Sequence, residues 1–224
     1  MSQIADKIYM NAKIYSVANE LQKMITELFI DALNVHLKLL DIRKLKPYAE
    51  EILHTLPEER RQKALNYCKE EDKMRSIGSS FLIMQTVSWQ KVYYGKYGKP
   101  LAHGKNFNVS HSGNYVVLAE SENPIGVDIE ELRNDITSDL IDAVLTKREK
   151  SWSGNSFLRF YILWTRKESL LKCAGTGFGI NPNRIDVLPK ENPTESIQYM
   201  GNFYRFFSTV FDNNIISITV HGLE

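Results

Sequence analysis

FNVSHSGNYVVLAESENPIGVDIE, residues 107 to 130, holds three β-branched runs separated by turn residues. FNVSH (107 to 111) leads through Ser112, Gly113 and Asn114 into YVVLAE (115 to 120), and SENP (121 to 124) leads into IGVDIE (125 to 130). Short turns of Gly, Asn, Ser and Pro between such runs predict an antiparallel meander. Side chains alternate across a strand, so Ile125, Val127 and Ile129 face a core while Gly126, Asp128 and Glu130 share the other face. The two carboxylates then stand about 6–7 Å apart along the backbone. Like charges at that distance repel unless a cation lies between them or both point into water. Hard oxygens that leave room for water and phosphate describe a magnesium site. A solvated strand face is the other reading, and the commoner one for Asp-x-Glu alone.

Downstream, residues 156 to 174 read as a long helix stopped by Gly175 and Gly177. At about 100° per residue, Phe157, Tyr161, Trp164 and Leu171 fall within roughly 60° of Glu168, and Lys172 lies about 40° from it. Glu168 is therefore expected within an apolar stripe, where lost solvation penalises its charge. A carboxylate on so rigid an element suits a metal ligand or a catalytic base. A plain i,i+4 pair of Glu168 with Lys172 at the stripe's edge is the alternative. Strands are expected near 183 to 189, 197 to 200, 203 to 211 and 215 to 221, the last two joined by the turn Asp212-Asn213-Asn214.

Upstream, Leu21, Met24, Ile25, Leu28, Phe29 and Ala32 recur at three- and four-residue steps and predict an amphipathic helix over 20 to 33. VHLKLLDI (35 to 42) reads as a strand, and Pro57 with Glu58 and Glu59 reads as a helix start. A second helix is expected from about Asp72 to Val92, broken afterwards by Gly95, Gly98 and Pro100. Helices, strands, a helix and more strands in that order indicate an α+β fold with helices packed on antiparallel sheets.

Ser110-His111-Ser112 at a strand end offers hydroxyls and an imidazole to phosphate oxygens, although a polar strand end accounts for it equally. No Gly-x-Ser-x-Gly elbow and no Gly-x-x-x-x-Gly-Lys-[Ser/Thr] loop occurs. Gly175, Gly177 and Gly179 follow a helix instead of opening one, which excludes a dinucleotide fingerprint. Arg60, Arg61 and Lys63 beside Glu58 and Glu59 read as a solvated helix face. Arg75 is expected in the first turn of its helix, where free N–H groups favour an anion.

The 224 residues are 43% hydrophobic and 25% charged, enough for one large core or two modest ones. With 28 Lys+Arg against 27 Asp+Glu, the net charge of +1 argues against a nucleic-acid or lipid-surface protein, so any anion site is local. Cys68 and Cys173 are widely separated and form neither a zinc motif nor a disulfide framework. MSQIADKIYM lacks the pattern of a secretory signal, and the apolar runs fall short of the ~20 residues of a membrane span. A soluble cytoplasmic protein is expected.

FNVSHS (107 to 112), IGVDIE (125 to 130) and WTRKESLLKCAGTG (164 to 177), in this order and spacing, closely resemble the surfactin-type 4′-phosphopantetheinyl transferases. GKP (98 to 100) and LPEERRQKALNYCKEEDKMRS (56 to 76) resemble the same family's first half, and the likeness runs over roughly residues 35 to 221. The resemblance implies transfer of phosphopantetheine from coenzyme A to a serine of an acyl or peptidyl carrier protein, with release of adenosine 3′,5′-bisphosphate. It also implies two similar α/β subdomains forming an intramolecular pseudo-dimer, with the site between them and a monomer as the working unit. On that pattern residues 1–33 are a helical extension, 34–122 the N-terminal subdomain and 123–224 the C-terminal subdomain carrying the metal site.

By matching motif, Asp128, Glu130 and Glu168 would hold Mg²⁺, and Glu168 and Lys172 would be catalytic. Arg75, Lys99, Pro100, Ser110 and His111 match positions that bind coenzyme A. Glu59 and Gln62 stand where family members often carry lysines, with the basic groups displaced to Arg60, Arg61 and Lys63. Two other readings share the same residues. A Mg²⁺ phosphodiesterase would hydrolyse the pyrophosphate without a protein acceptor. A binder of coenzyme A or carrier protein would perform no chemistry.

Overall fold

The computed structural model describes residues 20, 22–96, 98–188 and 196–222. The chain begins with β1 (Ile25–Ile30) and β2 (Val35–Asp41), followed by α1 (Ile42–Leu45), α2 (Ala49–Thr55), α3 (Glu58–Leu65) and α4 (Glu70–Met84). A ribbon of β3 (Val92–Tyr94) and β4 (Pro100–Ala102) precedes the hairpin β5 (Asn106–Ser112) and β6 (Tyr115–Ser121). Then come β7 (Ile125–Glu131), α5 (Ser138–Val144), α6 (Lys147–Ser153) and α7 (Phe157–Ala174). The strands β8 (Ser196–Tyr199), β9 (Asn202–Phe211) and β10 (Asn214–His221) follow.

Two four-stranded antiparallel sheets result, ordered β1-β2-β6-β5 and β7-β10-β9-β8. One pattern occurs twice. β2, α4, β5 and β6 give the strand order β2-β6-β5, and β7, α7, β9 and β10 give β7-β10-β9. The sheets meet face to face through Leu37, Leu39, Val117 and Ala119 on one side and Val127, Ile129, Ile216 and Ile218 on the other. Strand alternation supplies the second face of each sheet. Leu40 and Val116, next in register to Leu39 and Val117, pack under α4 with Ile77 and Phe81. Phe206 and Tyr204 of β9 pack with Leu163 and Leu170 of α7. The architecture is α+β, with antiparallel sheets inside and helices outside.

Four sequence expectations change. The first two strands of the 107–130 segment pair as foreseen, but β7 pairs with β10 and not with β6. The turn residues specify where strands end, and the apolar face of β7 finds its burial across the inter-sheet layer instead of beside β6. The expected helix over 20 to 33 is instead largely strand: Ile25 to Ile30 pair with Val35 to Leu40, turning through Asn34 at φ 52. Ladder hydrogen bonds to β2 override an apolar spacing that also fits a helix. Residues 1–19 and Leu21 lie outside the described residues.

The expected strand near 183 to 189 is a short turn at Pro182–Arg184 followed by irregular chain to 188, with Pro189 outside the described residues. Its backbone is satisfied by side chains: Lys167 Nζ donates to Ile185 O (2.7 Å) and Val187 N donates to Glu149 Oε1 (2.9 Å). The helix expected to reach Val92 ends at Met84, where Gln85 N closes on Phe81 O and Thr86 Oγ1 bonds Leu82 O.

Candidate active site

α7 crosses directly over β7, and the residue that permits it is Gly126. A Cβ there would stand 2.0 Å from Ser169 O and 2.5 Å from Cys173 N, so only glycine allows the contact. This close approach brings Glu168 and Lys172 of the helix to Asp128 and Glu130 of the strand. Lys172 Nζ donates to Asp128 Oδ1 at 2.6 Å and to Ser110 Oγ at 2.9 Å. Glu130 accepts from Trp164 Nε1 at 3.2 Å and from Ser112 Oγ at 2.7 Å. The strand alternation read from IGVDIE is the one observed, because Ile125, Val127 and Ile129 all lie in the inter-sheet core.

Burial raises the Glu168 carboxyl to about 7, reinforced by the nearby negative charge of Asp128 and opposed by Lys172. Glu130 is raised for the same two reasons, burial first and Asp128 second. Glu168 is 8% exposed, within a stretch from Thr165 to Leu171 that is buried throughout. Phe157, assigned by spacing to an apolar stripe, is instead 44% exposed at the helix start. The burial of Glu168 thus comes from the enclosure of the helix on all sides between Thr165 and Leu171.

The far edge of the first sheet completes this wall. β5 lies beside β7, joined to it by side chains. Asn108 Oδ1 accepts from Val127 N (2.9 Å), Ser110 Oγ donates to Asp128 Oδ1 (2.9 Å), and Ser112 Oγ accepts from Glu131 N (3.2 Å). Between the halves a cleft opens in two adjoining lobes of about 480 and 440 Å³, both lined by Pro100, Val109, Glu168 and Lys172.

Lys99 lines the larger lobe, with Nζ donating to Ile125 O (3.1 Å) and to Lys172 O (2.7 Å), a carbonyl in the last turn of α7. Burial holds its amine below the usual lysine range. Ser110 and His111 line the smaller lobe. The His111 imidazole is held below its ordinary value by loss of solvation, then by the charges of Arg75 and Lys172. Arg75 itself sits in the second turn of α4, not the first, and binds Gly113 O (2.7 Å) and Asp72 (2.6 Å). The first turn of that helix holds Glu70, Glu71 and Asp72, so the helix terminus is not an anion site for Arg75 to share.

Arg60 and Lys63 correct another expectation. Both line the smaller lobe, Arg60 half-buried and Lys63 exposed at its rim, while Arg61 pairs with Glu58. Arg60 is fixed by Ser80 Oγ at 2.9 Å and lies 5.5 Å above the Trp89 ring. Their helical period brings positions 60 and 63 to one face and 61 to another, a signal masked by the neighbouring glutamates. Asn108 was also missed. Its clue was the Asn-x-Ser-x-Ser alternation, which puts three polar groups on one face of β5.

The donor set suits a hard divalent cation. All the candidate ligands are oxygens, and Asp128 Oδ2 is buried without a hydrogen-bond partner. Among the described residues no group of three or more His, Cys, Asp or Glu side chains is placed to hold a metal ion without rearrangement. An open set of carboxylates is what magnesium uses when water and phosphate supply the rest of its shell.

Comparison with known proteins bears on this geometry. A model of the 4′-phosphopantetheinyl transferase superfamily matches residues 124–219, which include β7 and α7. The chain is 29% identical over 158 residues to 4′-phosphopantetheinyl transferase gsp of Aneurinibacillus migulanus, covering 64% of this chain and 65% of that protein. It is 28% identical over 170 residues to a 4′-phosphopantetheinyl transferase of Bacillus subtilis, covering 69% of this chain and 75% of the relative. Over 128 residues it is 34% identical to the L-aminoadipate-semialdehyde dehydrogenase-phosphopantetheinyl transferase of Xenopus laevis, covering 45% of this chain and 41% of that protein.

Proposed function

We propose that the chain is a member of the 4′-phosphopantetheinyl transferase superfamily, whose model matches residues 124–219, and that it transfers 4′-phosphopantetheine from coenzyme A to a serine of an acyl or peptidyl carrier protein. The observation that carries the reading is the meeting of Asp128, Glu130, Glu168 and Lys172 in a cleft walled by both halves of one chain. Mg²⁺ held by Asp128, Glu130 and Glu168 would neutralise charge on the coenzyme's pyrophosphate.

The chain's own groups account for the remaining steps. Glu168, its carboxyl near 7, is suited to take the proton from the carrier serine. The serine oxygen bonds to the β-phosphorus as the bond to the adenosine-side phosphate oxygen breaks. The electron pair leaves with adenosine 3′,5′-bisphosphate. Lys172, already beside Asp128 and Ser110, stabilises the phosphoryl oxygens. Arg60, Lys63 and His111 line the cleft where the anionic coenzyme would lie, with Pro100 and Lys99 at its other lobe. Arg75 acts at one remove, adding positive potential behind His111. Since both walls come from one chain, a monomer suffices. No helix among the described residues is long and apolar enough to cross a membrane.

Intact mass spectrometry of an apo carrier protein, incubated with this chain, coenzyme A and Mg²⁺, tests the reading. The expected result is a gain of one phosphopantetheine that EDTA abolishes. Coenzyme A cleaved with the carrier unmodified would identify a phosphodiesterase. Coenzyme bound in EDTA without turnover on any carrier would identify a binder.

A further inference from the structure

We propose that β5 is a template that sets the two β7 carboxylates for metal, and that Ser112 is the positioning residue for Glu130. The inference rests on the reading that Asp128 and Glu130 hold a divalent cation. β7 is an edge strand, paired with β10 on one side, so alternate N–H groups on its other side need acceptors. β5 provides them without a backbone ladder. Asn108, 3% exposed, takes the N–H of Val127, and Ser112 takes that of Glu131. Their four-residue spacing along β5 matches the four residues from Val127 to Glu131 on β7, so Ser110 and Ser112 on the same face also reach the carboxylates that lie between those amides.

Ser110 donates to Asp128 and Ser112 donates to Glu130. The Ser112 hydroxyl is thereby fixed at both ends. Its proton goes to Glu130 Oε2 (2.7 Å), and its lone pair receives Glu131 N–H (3.2 Å). With Trp164 Nε1 on the other oxygen at 3.2 Å, Glu130 is oriented by both halves of the molecule before any ligand arrives. Partners of metal-binding carboxylates that fix orientation in this way are worth about 10- to 100-fold in metal affinity.

Ser112→Thr keeps the hydroxyl and Ser112→Val, of nearly the same shape, removes it. Mn²⁺ is titrated into each protein without coenzyme or carrier, and free Mn²⁺ is read by electron paramagnetic resonance. The Thr variant is expected within about 3-fold of the parent and the Val variant about 10- to 100-fold weaker. Turnover by the Val variant should recover at high Mg²⁺, with the KM for coenzyme A unchanged. Ser112→Ala replaces Val in the comparison if the larger side chain prevents folding. Equal Mn²⁺ affinity in the Thr and hydroxyl-free variants would overturn the template. A parent protein that binds no Mn²⁺, alone or with coenzyme A, would remove the metal reading and the inference with it, a distinct result.

Discussion

Glu168 gathers most of the site's tension in one side chain. Burial and the neighbouring Asp128 charge oppose its ionisation, while Lys172 favours it. Without a metal the balance lies near 7, and a divalent cation at the same carboxylates would favour the ionised form, the one that accepts a proton. Glu168→Gln preserves shape and removes the titrating group. Transfer to a carrier protein should fall by at least about 100-fold, measured by intact mass over time. The melting temperature should not fall, since an amide carries no cost of burying a charge. Near-normal turnover would take Glu168 out of the chemistry and leave it a structural acid.

α7 binds the second sheet through polar pairs as much as through apolar contact. Thr165 and Ser217 share a hydrogen bond of 2.7 Å, as do Ser169 and Thr219, and Arg166 Nε donates to Ser208 Oγ at 3.0 Å. On the opposite side Lys167, 1% exposed, reaches Glu149 Oε2 (2.5 Å) and the carbonyls of Val144 (2.8 Å), Pro182 (2.9 Å) and Ile185 (2.7 Å). This lysine ties α5, α6 and the 182–188 segment to the helix that carries Glu168. Burial lowers its pKa even with Glu149 in contact. Lys167→Met leaves Glu149 buried and unpaired, which costs about 3–5 kcal/mol, or roughly 10 °C in melting temperature. Adding Glu149→Gln should restore part of that loss, because no charge remains, although the amide oxygen can accept from only one of Thr146 N and Val187 N. A double variant no more stable than Lys167→Met would show that the lysine's carbonyl contacts, not the ion pair, hold the segment.

Across the whole molecule, the two sheets divide labour by edge. β5 and β7 adjoin and carry the site, whereas β1 lies at the opposite end of its sheet. Truncation to residue 34 removes β1 and the buried Ile25 and Leu33, and it exposes the edge of β2. The truncated protein should melt several degrees lower, about 2–4 °C for each kcal/mol lost, with kcat on a carrier protein within about 2-fold of the parent. A large fall in kcat with the melting temperature unchanged would instead assign the segment a part in catalysis or carrier docking.

The sequence by itself determined the local features. IGVDIE was legible as a strand with one apolar and one acidic face, and residues 156 to 174 as a helix, since periodicity and stop residues act over a few neighbours. The motif order was also enough for the family resemblance. Tertiary structure alone decided partnership. Ile25 to Ile30 satisfy a helical spacing, but ladder bonds to β2 make them a strand. The turn at 121 to 124 is visible locally, yet only burial between the sheets shows that β7 leaves β6 for β10. Arg60 reads as solvated until Ser80, Trp89 and the second half of the chain close around the cleft it lines. Gly126 is a weak point in a strand until α7 crosses it. In each case the deciding energy comes from groups distant in sequence, which no local pattern contains.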